Sequence, residues 1–269
     1  MDWLKNMRKK QNSIEPVKPS EPKFEPNQFF QSGFNQLLDC PNGSAMWWHS
    51  MPLPDGNRIN GANQDKDLQF DMWQAMKIPC HQGLAGKRVL DIGANDGFFS
   101  LAACKAGALE VTSIDMDWGT WPLNINHACQ IWDESPRIIT ADFRSHDFTE
   151  RFDVILFLGV LYHLEDVFGC MKILSRLLAE HGVIYIETQM TQIESPLPVF
   201  EYASDIYPST APQDKKYLNL VGISNYLFPN EPAMVNLAHS YDFQFEALDG
   251  SHNNYTRKNP TRRFYKFSR

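Results

Sequence analysis

The segment Arg88-Val89-Leu90-Asp91-Ile92-Gly93-Ala94-Asn95-Asp96-Gly97-Phe98-Phe99-Ser100 constrains the fold of this chain more than any other stretch. An apolar run ends in an acid, a glycine-bearing turn follows at once, and small and aromatic residues then open a helix. Strand, tight loop and helix in that order present backbone N–H groups to a nucleotide-like ligand in an α/β fold. Neither the Gly-Lys-Ser/Thr of a phosphate-binding Walker loop nor the G-x-G-x-x-G of a dinucleotide loop is present. An NAD-linked oxidoreductase is therefore a weak reading.

From Lys87 the alternation of strand and helix patterns continues. Strands are predicted at 88–92, 110–114, 137–140, 153–158 and 182–187, with helices between them, the clearest over 165–180. There Val167, Cys170, Met171, Leu174, Leu177 and Leu178 recur at i, i+3, i+4 and i+7. A last helix at 232–241 and strands at 243–248 and 263–267 complete a Rossmann-like, doubly wound, mostly parallel seven-stranded sheet. Upstream, residues 1–28 read as an extended arm, with Pro16, Pro19 and Pro22 at the spacing of a polyproline helix. Residues 29–78 read as a hairpin-like N-terminal extension leading into a helix, turning at Asp55-Gly56, and 79–269 as the main domain. Within that domain, residues 190–230 lose periodicity and are expected to form a lid.

With 43% apolar residues over 269 positions, the chain has enough apolar content for a sizeable core. The longest apolar run, 154–162, falls far short of the ~20 residues of a membrane span, and no signal peptide is evident, so a cytoplasmic protein is expected. Five widely spaced cysteines, none in C-x-x-C, argue against a disulfide framework and a structural zinc site, and no metal site is expected. A net charge of −7 opposes binding to a phosphate backbone. The exception is the C-terminal run Arg257, Lys258, Arg262, Arg263, Lys266, Arg269 interleaved with Phe264, Tyr265 and Phe267. It reads as an edge strand protected by charge, ahead of an RNA contact.

Asp115, 24 positions after Asp91, ends the second strand where an acid accepts both hydroxyls of a ribose. After the third strand, Asp142 and Phe143 offer a carboxylate for an adenine amino group and a ring to stack on the base, with loop capping by Asp142 nearly as well supported. Gly159-Val160-Leu161-Tyr162-His163-Leu164 follows the fourth strand at the edge where open α/β sheets hold ligands. A neutral imidazole at His163, with an ordinary pKa of ~6.5, can take a proton from an acceptor hydroxyl. Capping of the following helix is the competing role.

The pattern Asp91-x-Gly93-x-Asn95-x-Gly97 resembles motif I of the class I S-adenosylmethionine (SAM) methyltransferases. That resemblance implies SAM as cofactor, held by Asp91, Gly93, Ala94, Asn95, Gly97, Asp115, Asp142, Phe143 and Gly159. With Ile184-Tyr185-Ile186-Glu187-Thr188 and the upstream Trp48-His49-Ser50-Met51-Pro52-Leu53-Pro54-Asp55-Gly56, the tyrosine-histidine word resembles the branch that includes the bacterial tRNA wobble-uridine carboxymethyltransferases. Over roughly residues 46–245 it implies a methyl-group transferase with Tyr162 and His163 at the reacting centre and Trp48, His49, Glu187 and Tyr226 lining the acceptor site. In that branch a lysine upstream of the first strand holds the extra carboxylate of carboxy-SAM. Residues 50–57 contain none, although Arg58 and Lys66 lie close by. Ordinary SAM and a small-molecule acceptor, methylated on oxygen, are thus expected, with tRNA modification and a non-catalytic SAM-binding module as alternatives.

Overall fold

The computed structural model describes residues 26–31, 33–39, 47–62, 65–117, 123–202, 226–248 and 258–269. Most of the expected arm, the centre of the expected lid (203–225), Cys40 and Arg257 lie outside the described residues.

The main sheet is built from β1 (Arg88–Ile92), β2 (Glu110–Asp115), β3 (Arg137–Thr140), β4 (Phe152–Leu158), β5 (Leu178–Gln189), β6 (Gln244–Ala247) and β7 (Arg262–Ser268). Its seven strands run in the order β6-β7-β5-β4-β1-β2-β3. The first five pair in parallel, whereas β7 is antiparallel to β5 and β6 antiparallel to β7. The chain therefore enters at β1, winds outward through β2 and β3, returns to β4 and winds the other way. Such a reversal, at the carboxyl ends of β1 and β4, is where open α/β sheets hold their ligands.

Side chains alternate across the strands. Val89, Val154, Leu156 and Phe264 join one apolar cluster and Leu90, Ile92, Ile155, Phe157, Tyr265 and Phe267 the other. The first cluster is covered by α1 (Leu68–Ala75), α2 (Phe98–Lys105) and α3 (Leu123–Trp132), the second by α4 (Val167–Leu177) and α5 (Glu231–His239). The expected 165–180 helix is shorter at both ends. Asp166 caps it by accepting from the Gly169 amide at 2.7 Å, and Leu178 is already extended and begins β5. Because Asp166 holds that cap, His163 does not.

The extension joins the same core. Met51–Pro52 pairs antiparallel with Arg58–Ile59 across the turn at Gly56, as a hairpin should. Phe29 and Phe70 pack on Phe98 at 5.1 and 5.2 Å between ring centroids, and the Trp132 indole donates to the Pro52 carbonyl at 2.9 Å.

The C-terminal strand corrects the expectation of an edge. β7 lies between β5 and β6, with Phe264, Tyr265 and Phe267 fully buried, and β6 takes the edge instead. Alternating basic and aromatic residues suit an edge strand, but the same period serves an interior strand once each cation finds an acceptor. Lys266 pairs with Glu246, Arg269 bonds the Ser175 and Leu178 carbonyls, and Arg262 reaches Glu187. Among the described residues no helix is long and apolar enough to cross a membrane, and Cys80, Cys104, Cys129 and Cys170 are free thiols.

Candidate active site

The glycine loop after β1 is held in shape by backbone that side chains would disturb. Gly93 has φ 73° and Gly97 φ 84°. A Cβ on Gly93 would lie 2.6 Å from Val160 Cγ2, and one on Gly97 2.4 Å from Ile125 Cγ1. Asn95, at φ 48°, supplies the third left-handed step. The Gly93 and Ala94 amides point back to the Ile114 carbonyl, and the Asn95 amide donates to Asp115 Oδ2 at 2.8 Å. The loop is thereby stitched to the tip of β2.

Two acids underlie it. Asp115 is buried at the end of β2 and also accepts the Met116 amide at 2.7 Å. Asp91 is 2% exposed and accepts the Ser100 hydroxyl at 2.6 Å, Ser100 in turn accepting from Ser113 at 2.7 Å. Burial, with the Asp115 charge adding to it, pushes the Asp91 carboxyl up to about 7. A cationic ligand above the loop would return it to the ionised form. These features fit SAM, whose amino-acid half carries a sulfonium and an ammonium and whose ribose carries a diol.

At the tip of β3, Asp142 grips Arg144 with both oxygens, at 2.9 and 2.6 Å, and caps its own turn by accepting the Arg144 amide. That contact holds the Asp142 carboxyl below the usual range. Phe143 is buried edge-to-face against Phe157 at 5.9 Å. Loop capping by Asp142 is therefore present in the fold.

After β4, Gly159 turns at φ 75° and a single 3-10 turn, Leu161–His163, follows. Tyr162 and His163 pack at a tilt, with ring centroids 4.1 Å apart and planes at 48°. The Tyr162 carbonyl accepts the Tyr226 amide at 2.7 Å, joining this turn to the start of the Leu227–Pro229 strand. Glu187 is completely buried at the end of β5 and forms a two-pronged pair with Arg262 of β7, at 2.5 and 2.6 Å. The same guanidinium donates to the Tyr162 hydroxyl at 3.1 Å and lies 5.0 Å from its ring centroid. Thus Gly159, Tyr162 and Glu187 converge, and Arg262, which sequence reasoning assigned to edge protection, is their hub. Its partner lies 75 residues away, so no local pattern could reveal it.

The upstream word reaches the site through Asp96, an acid that sequence reasoning passed over as one more loop residue. It accepts the Trp48 and His49 amides at 2.6 and 2.7 Å and the Asn124 side-chain amide at 2.8 Å. Trp48 is 43% exposed, and the His49 ring lies edge-on to Phe99 at 6.2 Å. Burial lowers the His49 pKa, with Asp96 opposing, and so favours the neutral ring. Arg58 and Lys66 are committed elsewhere. Arg58 is buried against Asp67 (2.7 Å), the Gln31 carbonyl and the Phe70 ring, and Lys66 donates to the Gly61 carbonyl.

Comparison with known proteins agrees with this geometry. Residues 78–248 match the family model described as "Methyltransferase domain". The chain is 32% identical over 199 residues to the ubiquinone biosynthesis O-methyltransferase of Actinobacillus pleuropneumoniae serotype 7, a match covering 68% of this chain and 77% of that one. It is 27% identical over 185 residues to the tRNA U34 carboxymethyltransferase of Pseudomonas fluorescens, covering 64% of this chain and 56% of that enzyme. Among solved structures, the SAM-dependent methyltransferase from Mesorhizobium loti superposes with a TM-score of 0.54 at 17% identity, over 77% of this chain and 100% of that one, which shows the shared fold. Loop, sheet order and matched residues together place this chain in the class I SAM-dependent methyltransferase family.

Proposed function

We propose that this methyltransferase transfers the methyl group of SAM to an oxygen of a small-molecule acceptor. The observation that carries the reading is the meeting of Tyr162, Glu187 and Arg262 beside Gly159, with His163 packed at a tilt against Tyr162, on the opposite side of the sheet's carboxyl edge from the acids of the glycine loop. SAM supplies a methyl group already activated on a sulfonium. The chain's task is then to align the acceptor and to manage its proton.

The loop of Gly93, Ala94, Asn95 and Gly97, with Asp91 beneath it, faces the amino-acid half, Asp115 binds the ribose hydroxyls, and Gly159 lets the chain pass close to the ligand. Asp142 and Phe143 belong to the adenine end by position. Their side chains are engaged with Arg144 and Phe157, so the shape of the β3 loop carries more of that contact than the side chains do. His163 removes the acceptor's proton and Tyr162, oriented by Arg262, positions the acceptor. Trp48, His49, Glu187 and Tyr226 form or support the walls.

Oxygen as acceptor atom and a small substrate are supported by the likeness to an enzyme named for O-methylation in ubiquinone biosynthesis. The commitment of Lys258, Arg262 and Lys266 to Asp71, Glu187 and Glu246 leaves these cations tied within the fold, which argues against a tRNA surface there. The engagement of Arg58 and Lys66 argues for SAM over carboxy-SAM. Likeness to the tRNA U34 enzyme keeps tRNA as the second reading. Incubation with methyl-labelled SAM and, separately, a small-molecule extract or bulk tRNA distinguishes them. Label in a small organic product is expected. Label in tRNA would move the acceptor to the second reading, and bound SAM with no transferred label would leave a binding module.

A further inference from the structure

We propose that Asp96 is a positioning residue that couples cofactor occupancy to the Trp48–His49 wall of the acceptor site. The inference rests on the cofactor site described above and extends it to a segment upstream of the domain.

Asp96 is 2% exposed, and its carboxylate is held by three N–H groups from two separate parts of the chain. One oxygen accepts both the Trp48 and His49 backbone amides, and the other accepts from Asn124 on α3. Charge-assisted bonds to backbone amides are short and about twice as strong as neutral ones. The carboxylate also stands between two left-handed residues, Asn95 at φ 48° and Gly97 at φ 84°, so its direction follows the conformation of the loop. Asn95 is bonded through its amide to Asp115, the acid assigned to the ribose. A continuous path therefore runs from Asp115 through Asn95 and Asp96 to the peptide of Trp48 and His49.

The rest of the wall is prepared to respond. Trp47 is buried beside His127 and Ser50 is buried, which anchor the segment at both ends, while Trp48 between them is 43% exposed. The His49 Nδ1 is buried with no hydrogen-bond partner among the described residues. Such an atom calls for an explanation, and a ligand donor is one. A ligand that rigidifies the loop restricts Asp96 and, through it, the two amides that carry Trp48 and His49.

Hydrogen exchange of the peptide covering residues 47–53, with and without saturating S-adenosylhomocysteine (SAH) and with calorimetry to confirm binding, reads the coupling directly. In the wild-type protein SAH should slow exchange of the Trp48 and His49 amides by about tenfold, the scale of one strengthened charged hydrogen bond. Asp96→Ala should still bind SAH yet lose that increment, and Asp96→Asn, which keeps an acceptor without the charge, should retain part of it. If Asp96→Ala fails to fold, Asp96→Asn decides alone. An SAH-dependent increment equal to wild type in the folded variant, or no increment in wild type with SAH bound, would overturn the coupling. Absence of SAH binding to the wild-type protein would overturn the cofactor site and the coupling together.

Discussion

Asp91 and Asp115 end neighbouring strands, yet their surroundings give them different work. Asp115 is solvated by backbone amides at the tip of its strand and is the assigned ribose acceptor. Asp115→Ala should weaken SAM by about 1.5–3 kcal/mol, ten- to a hundredfold by calorimetry. Asp91 is buried, and its folded-state pKa of about 7 lies above the ordinary 3.8. The native protein thus holds a proton that the unfolded chain has released, and the stability contributed by this group is lost as pH rises from 3.8 to about 7. Asp91→Asn, which keeps an acceptor for Ser100, should therefore be more stable than wild type and unfold at higher temperature, the stability margin growing across that window and levelling off at about 4 kcal/mol. The same variant should bind SAM more weakly. A melting temperature at pH 8 no higher than wild type would show that Asp91 is not desolvated. The side chain that caps α4 is Asp166, not His163. His163→Ala should lower kcat by ~10²–10⁴ while leaving SAM affinity nearly intact, the pattern of an interaction made in the transition state. A near-normal kcat with the true acceptor would remove it from the chemistry.

At the scale of elements, β7 does what no single residue does. By inserting antiparallel between β5 and β6 it delivers a guanidinium to the carboxyl end of a parallel strand, where Glu187 is sealed from water. The register pairs Phe264 with Glu187 and Arg262 with Gln189, so the Arg262 side chain reaches back along the neighbouring strand to form its pair. Arg262→Ala would leave the Glu187 carboxylate buried without its guanidinium, and urea denaturation should register a loss of about 3–5 kcal/mol. Arg262→Lys should recover only part of it, because an ammonium lacks the fork that matches a carboxylate and also reaches Tyr162.

For the whole molecule, the extension and the methyltransferase domain share one core. Phe29 and Phe70 on Phe98, Phe29 on Trp132 and the Trp132 bond to Pro52 all cross residue 78, where the family model begins. A chain starting at residue 78 would expose Phe98 and Trp132, each worth about 1.5–3 kcal/mol of burial. It should show no cooperative thermal transition by circular dichroism, whereas a folded, SAM-binding fragment would mean the extension is an accessory.

The sequence alone determined the sheet and the cofactor loop. β1 and β3 coincide with their predicted bounds and the other strands begin or end within a few residues, because short apolar runs, the glycines and the terminal acids are local signals whose causes lie within a few residues of each position. Tertiary structure decided the rest. Whether the C-terminal strand is edge or interior, whether Arg262 protects an edge or holds Glu187, and whether Asp96 is a loop filler or the anchor of Trp48 and His49 depend on partners 75, 48 and 47 residues away. A charged side chain carries no mark of which distant group will neutralise it. Only the packed sheet, by excluding water around Glu187 and Asp96, makes those partners necessary.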